Sequence, residues 1–159
     1  MIKVSGYLTS ARIGVSEMRI ADVLRNKGPA VATVDPGMSV SEVIGELARH
    51  NVGALVVMEE GVVAGIVTER DVVRRIHDRG PDVLSARVAD IMTTAIFACI
   101  PSDTVDSLAE TMTERRIRHL PVIVDGQLVG IVSIGDVVKS RIDELQTERD
   151  QLESYIDQG

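Results

Sequence analysis

The chain has 159 residues, 45% of them apolar and 26% charged, an ordinary globular composition that suits one compact domain or two small ones and carries no signature of disorder. A net charge of −7 and an aromatic content of only Tyr7, Phe97 and Tyr155 argue against nucleic-acid or anionic-membrane partners, which reward clustered Lys and Arg and, for single strands, stacking platforms. The one cysteine, Cys99, excludes an intrachain disulfide and sits in an apolar run as a small core residue, and no apolar run reaches the ~20 residues of a membrane span.

In chain order, residues 1–18 come first, an extension with no counterpart elsewhere and no order predicted for it. Met18 offers a second start. No basic segment followed by an apolar block marks a secretory signal, so a cytoplasmic protein is expected.

From residue 19 the chain repeats itself. A shift of 65 residues aligns Pro36 with Pro101, Val40 with Val105, Leu55 with Leu120 and Gly61 with Gly126, without a gap from residue 33 to about residue 74. Upstream, Arg19-Ile20-Ala21-Asp22-Val23-Leu24 matches Arg87-Val88-Ala89-Asp90-Ile91-Met92 at a shift of 68, which places a three-residue insertion within Arg25–Ala32. Two units follow, 19–78 and 87–140, joined by a linker at 79–86 that carries Gly80-Pro81-Asp82.

Each unit carries the same pattern. Val40, Val43, Ile44 and Leu47 form a helical stripe that Val105, Leu108, Ala109 and Met112 repeat, with Ser39 and Glu42 as a capping box for the first. Two strands come next: Leu55–Met58 and Val62–Val67 around Glu59-Glu60-Gly61, then Leu120–Val124 and Leu128–Val132 around Asp125-Gly126, a dipeptide suited to a tight hairpin turn. These strands barely alternate, so cover on both faces is expected. A second helix starts at Thr68 or Ser133. The expected fold is α/β (α+β): two βαββα units, each too small to be robust alone, packed about a pseudo-two-fold axis that creates two related clefts.

The segment Gly-Ile-Val-Thr/Ser-x-x-Asp closes the hairpin in each copy and carries the candidate chemistry. The start of a helix exposes unpaired N–H groups and binds anions, Thr68 or Ser133 adds a hydroxyl, and Asp71 or Asp136 offers a carboxylate to a ribose diol. A nucleoside phosphate needs both anchors. The same spacing also makes a plain capping box, and duplication by itself does not separate the two readings. His50 and His77 sit near helix ends, as surface caps would. Arg115, Arg116 and Arg118 read as a solvated helix end, with a ligand role as the alternative for Arg118 alone.

The ordered set of motifs, twice over, resembles the cystathionine-β-synthase (CBS) domain family from residue 19 to about residue 140. It comprises the Arg-Ile/Val-Ala-Asp lead-in, a Pro before the first helix, Ile117-Arg118-His119-Leu120-Pro121-Val122 entering a strand, and the Gly-Ile-Val-Thr/Ser-x-x-Asp closure. The resemblance implies a non-enzymatic regulatory protein that binds AMP, ADP, ATP, S-adenosylmethionine or NAD(H) between its repeats. It implies that Asp71 and Asp136 hold ribose, with Thr68 and Ser133 near ribose or phosphate. It further implies that Arg118 and His119 face phosphate beside Pro121, and that Val31 and Ile96 pack on adenine. The first copy has Gly53, Ala54 and Val56 where the second has Arg118, His119 and Pro121, so two unequal clefts are expected, with Arg70 partly compensating in the first.

After the second unit, Val138, Ile142, Leu145, Leu152 and Ile156 follow a heptad interrupted by Arg149, which predicts a C-terminal amphipathic helix over 141–159. Contact across a homodimer is expected of it, with packing along its own domain as the alternative. No phosphate loop, dinucleotide-binding glycine motif, zinc-protease motif or nucleophile elbow occurs, so catalysis is not expected. The alternative to a nucleotide sensor is a structural dimerisation or interaction module with empty clefts.

Overall fold

The computed structural model describes residues 2–4, 17–28, 30–157 and 159. Most of the 1–18 extension therefore lies outside the described residues. Its described part includes a short strand β1 (Lys3–Val4), parallel to β5 (Phe97–Ala98). Between them the chain forms α1 (Ile20–Lys27), β2 (Thr33–Val34), α2 (Val40–His50), β3 (Ala54–Glu59), β4 (Val62–Thr68) and α3 (Glu69–Arg79). After β5 come α4 (Val105–Arg115), β6 (His119–Val124), β7 (Gln127–Ser133) and α5 (Ile134–Asp157).

The 65-residue equivalence holds strand by strand. Short β2 lies parallel to β3 with Val34 opposite Val57, and Cys99 stands opposite Val122 in the same relation. The hairpins share one register, Ala54 opposite Thr68 and His119 opposite Ser133. Both turns have two left-handed residues, Glu60-Gly61 and Asp125-Gly126, as the primed hairpin turn requires. Each unit is thus a βαββα layer, and the two are related by a pseudo-two-fold axis.

Cover on both faces is real. Along β3, Leu55 and Val57 face α2 and α3, while Ala54 and Val56 face the opposite unit. A central cluster of Ala54, Val56, Val63, Ile66, Ile96, Ala98 and Ile123 glues sheet to sheet. Cys99 is fully buried in the second core, its Sγ 3.7 Å from the Pro121 carbonyl, and desolvation pushes its thiol up to about 12.

The packed cores are not coextensive with the sequence repeats, because the lead-in segments are exchanged. Ile20 and Val23 of α1 are buried among Val105, Leu108, Leu120 and Val132 of the second copy. Val88 and Ile91, at a one-turn 3₁₀ helix, are buried among Val40, Leu55 and Val67 of the first. Arg19 bridges to Thr104, the cap of α4, and Arg87 bridges to Ser39, the cap of α2. The Pro81–Ser85 segment folds as another 3₁₀ stretch and buries Val83 in the first core.

The motif glycines make the exchange sterically feasible. A Cβ on Gly65 would stand 2.5 Å from Met92 Sδ and 3.1 Å from the Thr93 carbonyl, and one on Gly130 would stand 2.5 Å from Leu24 Cδ2. Both contacts join a strand of one copy to the lead-in of the other. Overpacking such a contact costs about 1–3 kcal/mol. Gly65→Val and Gly130→Val should therefore each lower the unfolding free energy by about that amount in urea titrations, with both cores reporting the loss.

Candidate nucleotide cleft

Each candidate motif first serves its own helix. Thr68 Oγ1 accepts the Asp71 N–H at 3.2 Å, and Asp71 Oδ2 accepts the Thr68 N–H at 2.9 Å and the Thr68 hydroxyl at 2.8 Å. Ser133 and Asp136 repeat this, with distances of 3.2, 2.8 and 3.0 Å. The capping box is therefore formed in both copies. It leaves Oδ1 of Asp71 without a hydrogen bond among the described residues, so capping and ligand binding are compatible uses of one carboxylate.

A cavity of about 400 Å³ opens at the start of α3, within the range of small-molecule sites. Thr68, Arg70 and Asp71 line it from the first copy, and Ile96, Arg118, His119 and Pro121 line it from the second. The basic pair reaches across the axis to the hydroxyl and Asp of the first copy, because strand β6 begins beside the α3 N-terminus, while Lys27 and Asp136 of its own copy still act on His119. Arg70 thus joins Arg118 and His119 and does not compensate for their absence. Gly53 has a reason for being small: a Cβ there would stand 3.2 Å from His119 Cε1.

Ser133 and Asp136 face the other side of the axis with Lys27, whose Nζ lies 2.7 Å from Asp136 Oδ2. Burial works to raise the Asp136 carboxyl, but the hydrogen bond from Lys27, with the Ser133 donors and the Lys27 charge, outweighs it and holds the group below the usual carboxylate range. Val31 packs at the edge of the central cluster that contains Ile96.

Several cavity residues lacked a legible signal. Arg74 stands one turn after Arg70 on α3 and joins the lining, as do Arg115 and Arg116 from the end of α4. Arg115 stacks over Phe97, its guanidinium carbon 4.9 Å from the ring centre. Arg70 Nη1 donates to the Arg116 carbonyl at 3.2 Å, a bond from one copy to the other across the cavity. The fixed spacing of Arg70 and Arg74 was the available clue to the wall of α3. His50, in contrast, pairs with Glu46 at the end of α2, 3.3 Å away, as a helix-end residue.

Desolvation pulls the His119 imidazole below its ordinary value, and Lys27 adds to this against the opposing pull of Glu69 and Asp136. Between that lowered value and the ordinary one of about 6.5, the folded chain therefore holds fewer protons here than the unfolded chain.

Sequence and structure comparisons agree with this architecture. The CBS domain family matches residues 20–78 and 88–143. The chain belongs to the CBS domain family, as a tandem pair. It is 38% identical over 157 residues to the CBS domain-containing protein CBSX3, mitochondrial, of Arabidopsis thaliana, covering 92% of this chain and 75% of that one. The crystal structure of a CBS-domain containing protein from Agrobacterium tumefaciens superposes with a TM-score of 0.77 at 45% identity, covering 78% and 99% of the two chains. A CBS domain protein from Pyrobaculum aerophilum, complexed with AMP, gives a TM-score of 0.66 at 30% identity, with 75% and 89% covered. No described helix is long and apolar enough to cross a membrane.

The stability contribution of neutral His119 is present above the unfolded-state value and is lost as pH falls through the lowered folded value. His119→Gln should therefore lose less melting temperature than the wild type between about pH 7.5 and about pH 5. Parallel pH curves for the two proteins would contradict the assignment.

Proposed function

We propose that the chain is a regulatory sensor that binds a phosphate-bearing adenosine mononucleotide, AMP, ADP or ATP, in the cavity between the first copy's α3 and the second copy's β6. The observation that carries this reading is the charge of the cavity. Five arginines face two carboxylates, Glu69 and Asp71, in a protein whose net charge is −7. A cationic concavity on an acidic surface selects anions and concentrates them. Arg70, Arg118 and His119 suit phosphate oxygens, and guanidinium groups grip them in pairs.

Asp71 is the ribose ligand on this reading. Its free Oδ1 takes one sugar hydroxyl. Oδ2 takes the other once the Thr68 hydroxyl turns away, with the Thr68 N–H bond retained. Ile96, 3% exposed, and Pro121 supply apolar surface for the base. S-adenosylmethionine, a sulfonium cation, fits the arginine lining poorly. NAD(H) fits its charge, but the cavity lies near the low end of the about 300–1,000 Å³ range of ligand sites, which suits a mononucleotide better. The AMP complex of the Pyrobaculum relative supports the same ligand class.

The family and the cavity's recognition chemistry together support a regulator and not a catalyst, with occupancy shifting shape or partner affinity. A homodimer is part of the proposal. Val138, Ile142, Leu145 and Leu152 of α5 are 49–64% exposed, and Ile156 is 73% exposed, along one heptad stripe that leaves the body of its own chain. A second copy is the self-complementary occupant of such a stripe. The same stripe favours a second reading, a dimerisation module whose clefts stay empty.

Calorimetric titration separates these readings. AMP or ATP should bind the wild type, and Asp71→Asn and Arg118→Ala should each weaken binding about 10- to 100-fold, the range for a lost charge-assisted hydrogen bond. A bound phosphate favours the His119 imidazolium, so affinity should rise from about pH 8 to about pH 6. Absence of binding by all three nucleotides would leave the dimerisation module. In sedimentation, Leu145→Glu combined with Leu152→Glu should convert a dimer to a monomer; an unchanged mass would remove α5 from the interface.

A further inference from the structure

We propose that Lys27 is a built-in plug of the second cleft, so that each chain binds a single nucleotide, in the first cleft. This rests on the nucleotide reading above for the first cleft, but the plug itself stands on separate contacts. Lys27 Nζ lies 2.7 Å from Asp136 Oδ2 and 3.0 Å from the Ile131 carbonyl oxygen. Asp136 Oδ2 thus takes three donors, from Ser133 N, Ser133 Oγ and Lys27 Nζ, where Asp71 Oδ2 takes two. A ribose diol meets a carboxylate whose Oδ2 carries two donors in one cleft and three in the other, while Oδ1 carries none among the described residues in either.

The asymmetry has a local cause. In the first copy the carbonyl and N–H of Ile66 pair with Thr93 in a backbone bridge, at 2.9 and 3.0 Å. The equivalent carbonyl, that of Ile131, is served instead by the lysine ammonium. The segment that meets it differs from its counterpart by three residues, and the extra length continues α1 to Lys27. That helix is fixed by buried Ile20 and Val23 and by Leu24 against Gly130, so the ammonium is delivered by a rigid element. The ion pair is partly buried, with Lys27 33% and Asp136 21% exposed, and salt screens it less than a surface pair.

The second cleft has fewer cations for a phosphate. Gly53 and Ala54 stand where the first cleft receives Arg118 and His119, and Gly135 stands where it has Arg70, while Lys139 stands where it has Arg74. A nucleotide entering there has to break the Lys27–Asp136 pair with fewer cations to receive its phosphate than in the first cleft. Removing the lysine uncovers a site for the nucleoside part of the ligand, with little preference for phosphate.

The test is calorimetric titration of the full chain with AMP and with adenosine. The wild type should bind one AMP per chain. Lys27→Met, which keeps the aliphatic stem, should bind a second ligand, with adenosine and AMP within about threefold of each other there. Adding Asp136→Ala should abolish the second site alone, and adding Asp71→Asn should weaken the first alone. Two AMP per chain in the wild type would overturn the plug and keep the nucleotide reading, whatever the variants do. A single site in both Lys27→Met and Lys27→Gln, each confirmed as folded by its melting curve, would do the same. A wild type that binds nothing, with one Asp136-dependent site in Lys27→Met, would keep the plug and remove the first-cleft reading. No binding by any variant would remove both.

Discussion

The reciprocal seating of the two lead-in segments is the contact on which the molecule depends. A βαββα layer of this size has too little interior to be robust alone. Here each core is finished by residues that the sequence assigns to the other copy: Ile20 and Val23 in one direction, Val88 and Ile91 in the other. The β-hairpins accept them because Gly65 and Gly130 present no side chain where Met92 and Leu24 arrive. Neither half can be removed without exposing the interior of its neighbour. Unfolding is therefore expected to be a shared event, even though the chain reads as two repeats.

The same crossing decides the electrostatics. Once the units face each other across the central apolar cluster, the start of β6 lies beside the start of α3, and charges contributed by different copies meet. The cavity gains Arg118 and His119 from one side and Arg70, Arg74 and Asp71 from the other. Desolvation keeps His119 from carrying charge readily, so the fixed cations are the guanidiniums. On the opposite side of the axis one lysine meets one aspartate, and the charges cancel internally. A symmetric gene duplication has thus become an electrically asymmetric pair of clefts.

Much of this was legible in the sequence because it is local. The helical stripes, the Asp125-Gly126 turn, the Ser39 capping box and the 65-residue period each depend on neighbours a few positions away. The family resemblance rested on the same short motifs. Pairing across the axis was not legible. Sequence alone sets Arg118 and His119 with Ser133 and Asp136 of their own copy, and the cavity brings them to Thr68 and Asp71 of the first, since no periodicity encodes which strand end meets which helix start. Lys27 was invisible for a related reason. It lies inside an insertion whose limits were known, but an inserted lysine has no fixed partner until α1 is docked on β7. The C-terminal heptad was readable as amphipathic; its continuity with the last helix of the repeat was not, because nothing between Ser140 and Asp143 breaks a helix, and nothing marks a junction either.

That continuity has a mechanical meaning. The helix α5 runs unbroken for 24 residues, from the turn that holds Ser133 and Asp136 to Asp157. At 1.5 Å per residue such a rod is about 36 Å long, and a tilt of about 5° at its root displaces its tip by about 3 Å. Only Val137 and Ser140 along it are buried, both in its first turns. It is a lever with a short anchored arm and a long free one, and its fulcrum lies beside the carboxylate that Lys27 holds.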